Sequence, residues 1–121
     1  MAKILIIDDS ATGVKQLSQI LNKNGYDVLS CESAEEGIDT LEREQPDVVL
    51  MDVVMPGMNG FQATREIVGN PETSHIPVII VSVKDQETDK VWGRRQGARA
   101  YLTKPVDEQQ LLTTITQVAA H

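Results

Sequence analysis

An open α/β fold, five strand–helix units around one parallel sheet, is what this sequence predicts, and three observations predict it. Short unbroken β-branched runs alternate with segments of helical periodicity along the whole chain. The runs show no apolar–polar alternation, so their sheet is covered on both faces. A chain of 121 residues builds one hydrophobic core and no second. The expectation is a single stand-alone domain over residues 1–121 with no output domain, in which helices lie on both faces of the sheet.

The first strand, Ile4-Leu5-Ile6-Ile7, stops at Asp8-Asp9. Val14, Leu17 and Leu21 then recur at helical spacing with Ile20 beside them, and Gly25 is the stop. Tyr26 to Cys31 reads as the second strand. Ser33, with Glu36 three residues on, is a capping-box signature. The helix it opens carries Ala34, Ile38 and Leu41 and ends before Pro46. Val48-Val49-Leu50-Met51 is the third strand and stops at Asp52. Asn59 starts a third helix bearing Phe61, Thr64, Ile67 and Val68, which Pro71 closes. Val78-Ile79-Ile80-Val81 runs to Ser82; Asp85 to Gln96 reads as the fourth helix, ended by Gly97. Tyr101-Leu102-Thr103 ends in Lys104-Pro105, and Asp107, with Gln110 three on, caps a fifth helix carrying Leu111, Leu112, Ile115 and Val118.

Composition excludes several functions. A net charge of −7 opposes nucleic-acid binding, which draws its affinity from neutralised phosphates. No stretch approaches the ~20 apolar residues of a membrane span, and the first residues lack the pattern of a signal peptide. The lone Cys31 forms no internal disulfide and fits a reducing, cytoplasmic setting. His75 and His121 are too few and too far apart for a histidine metal site.

Every strand ends in a group suited to phosphoryl chemistry except the second, and ligands of open α/β sheets bind beyond the carboxyl ends of the strands. Adjacent acids such as Asp8 and Asp9 repel unless a cation shares them, and Mg²⁺ takes hard oxygen ligands of this kind. Capping of the first helix accounts for Asp9 or Ser10, but not for both acids. Asp52, opposite such a metal, has the place of a nucleophile on phosphorus, and the carbonyl of Val54 is a further metal oxygen. Ser82 and Lys104 supply a hydrogen-bond donor and a cation for phosphoryl oxygens. Taken singly, Asp52 is an ordinary turn aspartate, Ser82 a capping residue, Lys104 a solvated cation and Tyr101 a core aromatic. Trp92, the only tryptophan, shares a helix with Lys90, Arg94 and Arg95. Gly93 in that helix costs about 1 kcal/mol relative to alanine, which makes the helix easier to move.

Asp8-Asp9, Asp52 with Met55-Pro56-Gly57 and Gly60, Ser82, Gly97-Ala98, Tyr101 and Lys104-Pro105 together make the chain resemble the receiver domain of two-component response regulators, the CheY-like group. The resemblance covers essentially the whole chain. It implies a flavodoxin-like (βα)5 three-layer sandwich with strand order 2-1-3-4-5. It also implies that Asp52 takes a phosphoryl group from a phosphohistidine of a CheA-like sensor histidine kinase. Asp9, Asp52 and the Val54 carbonyl would bind Mg²⁺, with Asp8 acting mainly through water. Ser82 and Lys104 would contact the phosphoryl oxygens, and Ser82 with Tyr101 would form a coupled switch. Such a protein catalyses only its own phosphorylation and dephosphorylation. Val83 departs from the smaller residue usual after the switch hydroxyl, which bears on the rate of signal decay.

A narrower likeness lies in Asn59 to Arg65 and in Lys84 to Gly93 with Arg95-Gln96-Gly97-Ala98. These stretches resemble the PilH type of small regulator in chemosensory systems for type IV pili and twitching motility. The expected partners are the kinase and an output protein of the pilus machinery, with no nucleic acid or membrane insertion. The chain is expected to be a monomer or weak dimer, either switching a protein surface or acting as a phosphate sink. Lys90, Trp92, Arg94 and Tyr101 are the expected partner surface. Two other classes compete. A Mg²⁺-dependent phosphatase with an aspartyl nucleophile would want an acid at position 54, which is valine. A flavin carrier would want aromatics for the ring and would not place Asp8-Asp9 by its phosphate.

Overall fold

In the computed structural model, which describes residues 2–119, strands and helices alternate without exception. Their order is β1 (Lys3–Ile7), α1 (Ala11–Lys23), β2 (Asp27–Cys31), α2 (Ala34–Glu44), β3 (Val48–Met51), α3 (Gly60–Gly69), β4 (Val78–Ser82), α4 (Glu87–Arg95), β5 (Ala100–Thr103) and α5 (Glu108–Ala119). His121 lies outside the described residues. The strands form one parallel sheet in the order β2-β1-β3-β4-β5, the flavodoxin-like order of the CheY group.

Successive side chains of a strand point to opposite faces, which is why unbroken apolar runs were needed. Ile4 and Ile6 of β1 pack with Leu17 and Leu21 of α1 and with Leu111 and Ile115 of α5. Leu5 and Ile7 face the other way, onto Leu41 of α2 and Ala63 and Ile67 of α3. Fully burying one such side chain stabilises the fold by about 1.5–3 kcal/mol. A smaller cluster of Val53, Phe61, Ile80 and Ala98, with Tyr101 against it, lies towards α4.

The chain leaves β1 for β2 on one side and returns to β3 on the other. The connections on the two sides of this reversal diverge, and the crevice between them opens at the carboxyl ends of β1 and β3.

Local chemistry sets the helix boundaries. Ser10, Ser33 and Asn59 accept hydrogen bonds from the backbone N–H groups of Gly13, Glu36 and Gln62, and Asp107 accepts from Gln110. Asn59 and Gln62 form the reciprocal capping box. At Ser33 only the serine half of the box is made. The fourth helix starts later than expected, at Glu87 rather than Asp85, because the Asp89 carboxylate turns back to accept from the N–H of Gln86. Val68, expected on the core side of α3, is 38% exposed. Its methyl groups lie over Gly97, whose φ of +110° and lack of a side chain admit them. The Lys104–Pro105 peptide bond is cis.

Candidate functional site

Register builds the centre of the site. Ile7 is paired with Met51, so Asp8 and Asp52, one residue further, leave the sheet side by side. The ladder extends one more step to fix them: Asp52 N–H donates to Ile7 at 2.9 Å, and Asp8 N–H donates to Cys31 at 3.0 Å. Both carboxylates are buried, whereas Asp9 is exposed. One oxygen from each of Asp8, Asp9 and Asp52 lies within 4.8 Å of the others, close enough to share a cation.

Lys104 enters from the opposite edge of the sheet. Thr103 pairs with Ser82 at the end of β5, and Lys104 N–H donates to the Ser82 carbonyl at 2.9 Å. Its ammonium lies 2.7 Å from Asp8 Oδ2 and 3.8 Å from Asp52 Oδ2, so Asp8 is its main partner. Three carboxylates thus face one ammonium. Burial pushes the Asp52 carboxyl above its usual range. The Lys104 charge opposes this, Asp8 adds to it, and the backbone N–H groups of Val53 and Val54 oppose it. The Val53 N–H donates to Asp52 Oδ1 at 2.8 Å. A carboxylate cluster short of positive charge, made of hard oxygens, has the chemistry of a Mg²⁺ site.

The turn after Asp52 is closed by Gly60, whose N–H donates to the Val53 carbonyl at 3.0 Å. A Cβ on Gly60 would fall on the Asp52 carbonyl oxygen, so only glycine lets α3 start this close to the site. The Val54 side chain is 55% exposed at the rim and Val83 is 64% exposed. Neither supplies the acid a phosphatase would want.

Ser82 is fully buried and belongs to a second group of contacts. Its Oγ accepts from Lys84 N–H at 3.3 Å, while the Tyr101 hydroxyl donates to the Lys84 carbonyl at 2.7 Å. The backbone of Lys84 therefore joins Ser82 to Tyr101. Burial pushes the Tyr101 phenol up, the Asp89 carboxylate adds to this, and the Ser82 hydroxyl works against it. The Tyr101 ring lies below Gly93 of α4, where a Cβ would come within 3.0 Å of Cδ2.

Two residues of this site carry no sequence signal of the kind used above. One is Lys84, which acts through its backbone. The other is Gly13, where an added Cβ would stand 3.1 Å from Asp8 Oδ2 and 3.5 Å from Lys104 Nζ. A glycine in the first turns of a helix that begins beside an acid pair was the available clue, because it sacrifices about 1 kcal/mol of helix propensity. The expected partner surface, in contrast, divides. Lys90 and Arg94 are one turn apart on one flank of α4, and Trp92 lies about 200° from each, on the other. Trp92 is 49% exposed.

The sequence model of the response regulator receiver domain matches residues 4–116. Over 120 residues, 99% of each chain, this protein is 62% identical to Protein PilH of Pseudomonas aeruginosa. It is 35% identical to the response regulator PleD of Caulobacter vibrioides over 114 residues, 94% of this chain but 25% of PleD. Among solved structures, the chemotaxis protein CheY4 of Vibrio cholerae superposes with a TM-score of 0.90 at 29% identity, covering 98% of both chains. A response regulator receiver domain protein from Clostridium thermocellum gives a TM-score of 0.90 at 33% identity, covering 99% of this chain and 95% of the other.

Proposed function

This chain belongs to the response regulator receiver domain family, and on that premise we propose that Asp52 accepts a phosphoryl group from a phosphohistidine of a CheA-like sensor kinase. The observation that carries the reading is the convergence of Asp8, Asp9, Asp52 and Lys104 at the strand ends. In the transfer an Asp52 carboxylate oxygen bonds to phosphorus. The phosphorus–nitrogen bond breaks, and its electron pair stays on the donor imidazole. Asp9, Asp52 and the Val54 carbonyl, with Asp8 mainly through water, would hold Mg²⁺, which supplies positive charge to the phosphoryl oxygens.

Lys104 is held by Asp8 before transfer and has a new partner afterwards, since a phosphoryl group on Asp52 places anionic oxygens on its side. Ser82 offers its hydroxyl to the same group. Reorienting that hydroxyl loosens its bond to Lys84 N–H, and the Lys84 carbonyl holds Tyr101. The change thereby reaches the face around α4 and β5, shifting the population of two arrangements by a coupling of about 1–3 kcal/mol. The chain acts through that face or as a phosphate sink, in the cytoplasm, as a monomer or weak dimer. Its identity to PilH supports a role in type IV pilus motility.

Acetyl phosphate or beryllofluoride with Mg²⁺, followed by intact mass or NMR shifts, tests the acceptor. Wild type should respond, and Asp52→Asn should not. An acid-labile phosphate on the variant would remove Asp52 from the role. The variant also carries a stability signature. A carboxyl with a raised folded pKa binds its proton more tightly folded than unfolded, so wild-type stability falls as pH rises from about 3.8 through that raised pKa. In metal-free buffer Asp52→Asn should therefore melt higher than wild type at neutral pH, and the difference should vanish at acid pH.

A further inference from the structure

Gly13 goes against every local preference of its position. It lies three residues after the cap Ser10, in the first turn of α1. Behind the caps Ser33, Asn59 and Asp107 the same position holds Glu36, Gln62 and Gln110. A glutamate or glutamine there can complete a capping box, and alanine would add up to about 1 kcal/mol of helix propensity. The φ of Gly13 is not positive, unlike that of Gly25, Gly57 and Gly97, so the backbone does not ask for glycine. Packing asks for it only weakly. An added Cβ at Gly60 would overlap the Asp52 carbonyl, whereas at Gly13 the nearest atoms stand at 3.1 Å, 3.4 Å and 3.5 Å. These atoms are Asp8 Oδ2, Ser10 Oγ and Lys104 Nζ. The missing side chain would thus lie against both halves of the Asp8–Lys104 ion pair. Asp8 is only 2% exposed in that pair and Lys104 20%. Asp8 Oδ1 is held by the Ser10 N–H at 2.9 Å, which leaves Oδ2 to the ammonium at 2.7 Å. A buried carboxylate gives up such a partner at high cost, and the cost rises as its surroundings dry.

We propose that Gly13 is a positioning residue, which keeps the Asp8–Lys104 pair uncovered on the α1 side and so lets Lys104 turn from Asp8 to phosphoryl oxygens on Asp52. The proposal rests on the acceptor reading above and adds the residue that governs release of the lysine. A methyl group at position 13 would shield the pair, tighten it and hold the ammonium at Asp8. The nearest rival is that glycine only leaves room beside Asp8 for a hydrated cation. Under that rival a methyl group weakens activation whether or not Lys104 is present.

A cycle of Gly13→Ala and Lys104→Ala separates the two. In metal-free buffer Gly13→Ala should unfold at the same urea concentration as wild type or higher. Lys104→Ala should then shift the unfolding equilibrium roughly threefold more in the Gly13→Ala background than in wild type. With Mg²⁺ present and NMR shifts as the readout, Gly13→Ala should require roughly fivefold more beryllofluoride, or beyond. That difference should vanish between Lys104→Ala and the double variant. Gly69→Ala, at a helical glycine with no atom near its missing Cβ, should leave the titration unchanged. The proposal is overturned if Gly13→Ala titrates as wild type does, or if its weakening persists without Lys104. A lower urea midpoint for Gly13→Ala also overturns it, by making the glycine a packing residue. If wild type itself ignores beryllofluoride, the acceptor reading fails, and the metal-free cycle decides the role of Gly13 by itself: equal shifts in both backgrounds overturn it.

Discussion

Helices α2 and α4 flank α3 in the same layer, and each meets the sheet through a glycine. Gly37 of α2 rests on Ile7, where an added Cβ would come 2.7 Å from Cγ1. Gly93 of α4 rests on Ile80 and the Tyr101 ring, at 2.9 Å and 3.0 Å. Around these similar contacts the helices differ. Ala34, Gly37, Thr40 and Leu41 of α2 are buried, whereas Gly93 is the only buried residue of α4. The end of α2 is also fastened, since Gln45 takes a φ of +47° and its side chain donates to the carbonyls of Glu42 and Glu72. Glycine lets a helix approach a sheet, but what lies beneath decides whether the approach is fixed. Below Gly37 of α2 is the fully buried Ile7 alone, and below Gly93 of α4 the buried Ile80 shares the contact with the half-buried ring of Tyr101. An element with few buried contacts opens at low free energy, as a switching element requires.

Leu41→Ala should separate the two most widely, because it deletes the main anchor of α2. A loss of about 2–5 kcal/mol is expected in urea unfolding, beyond reach of any single truncation on the outward face of α4. A smaller separation comes from the glycines. Gly37→Ala gains helix propensity but drives a methyl group into Ile7, for a net loss of about 1–2 kcal/mol. Gly93→Ala gains the same propensity and displaces only the flexible end of Ile80 and the ring of Tyr101. Its stability should stay within about 0.5 kcal/mol of wild type while the Tyr101 ring resonances move. Equal losses at both positions would mean that α4 is as firmly seated as α2. The finest distinction lies in hydrogen exchange of the unmodified protein, where amides of α4 should open at lower free energy than those of α2.

The sequence was most informative where one residue's burial depends on its immediate neighbours. Unbroken runs such as Val48 to Met51 marked strands buried on both faces, and the acids and lysine that stopped them proved to converge. Asn59 announced its helix through local hydrogen bonds. What escaped notice depends on approach between distant segments. The closeness of Gly13 to Lys104 exists only once α1 and β5 are placed. Val68 looked like a core residue because its period fits, yet it lies on the flank of α3 that meets Gly97. Lys90 and Arg94, next to Trp92 along the chain, lie on the other flank of α4, because proximity along the chain is not proximity around a helix. The backbone role of Lys84 is invisible to any reading of side chains.

The contact between Lys104 and Asp8 spans 96 positions in the chain. Closing so long a loop is entropically demanding, and contacts of such separation slow folding. A chain with only its first three strands assembled would already hold the three acids together, but without the ammonium that moderates their repulsion. The lysine arrives with β5, from the far edge of the sheet. Its arrival serves as an electrostatic latch on the finished fold, so that a truncated or half-made chain carries the acids without the means to use them.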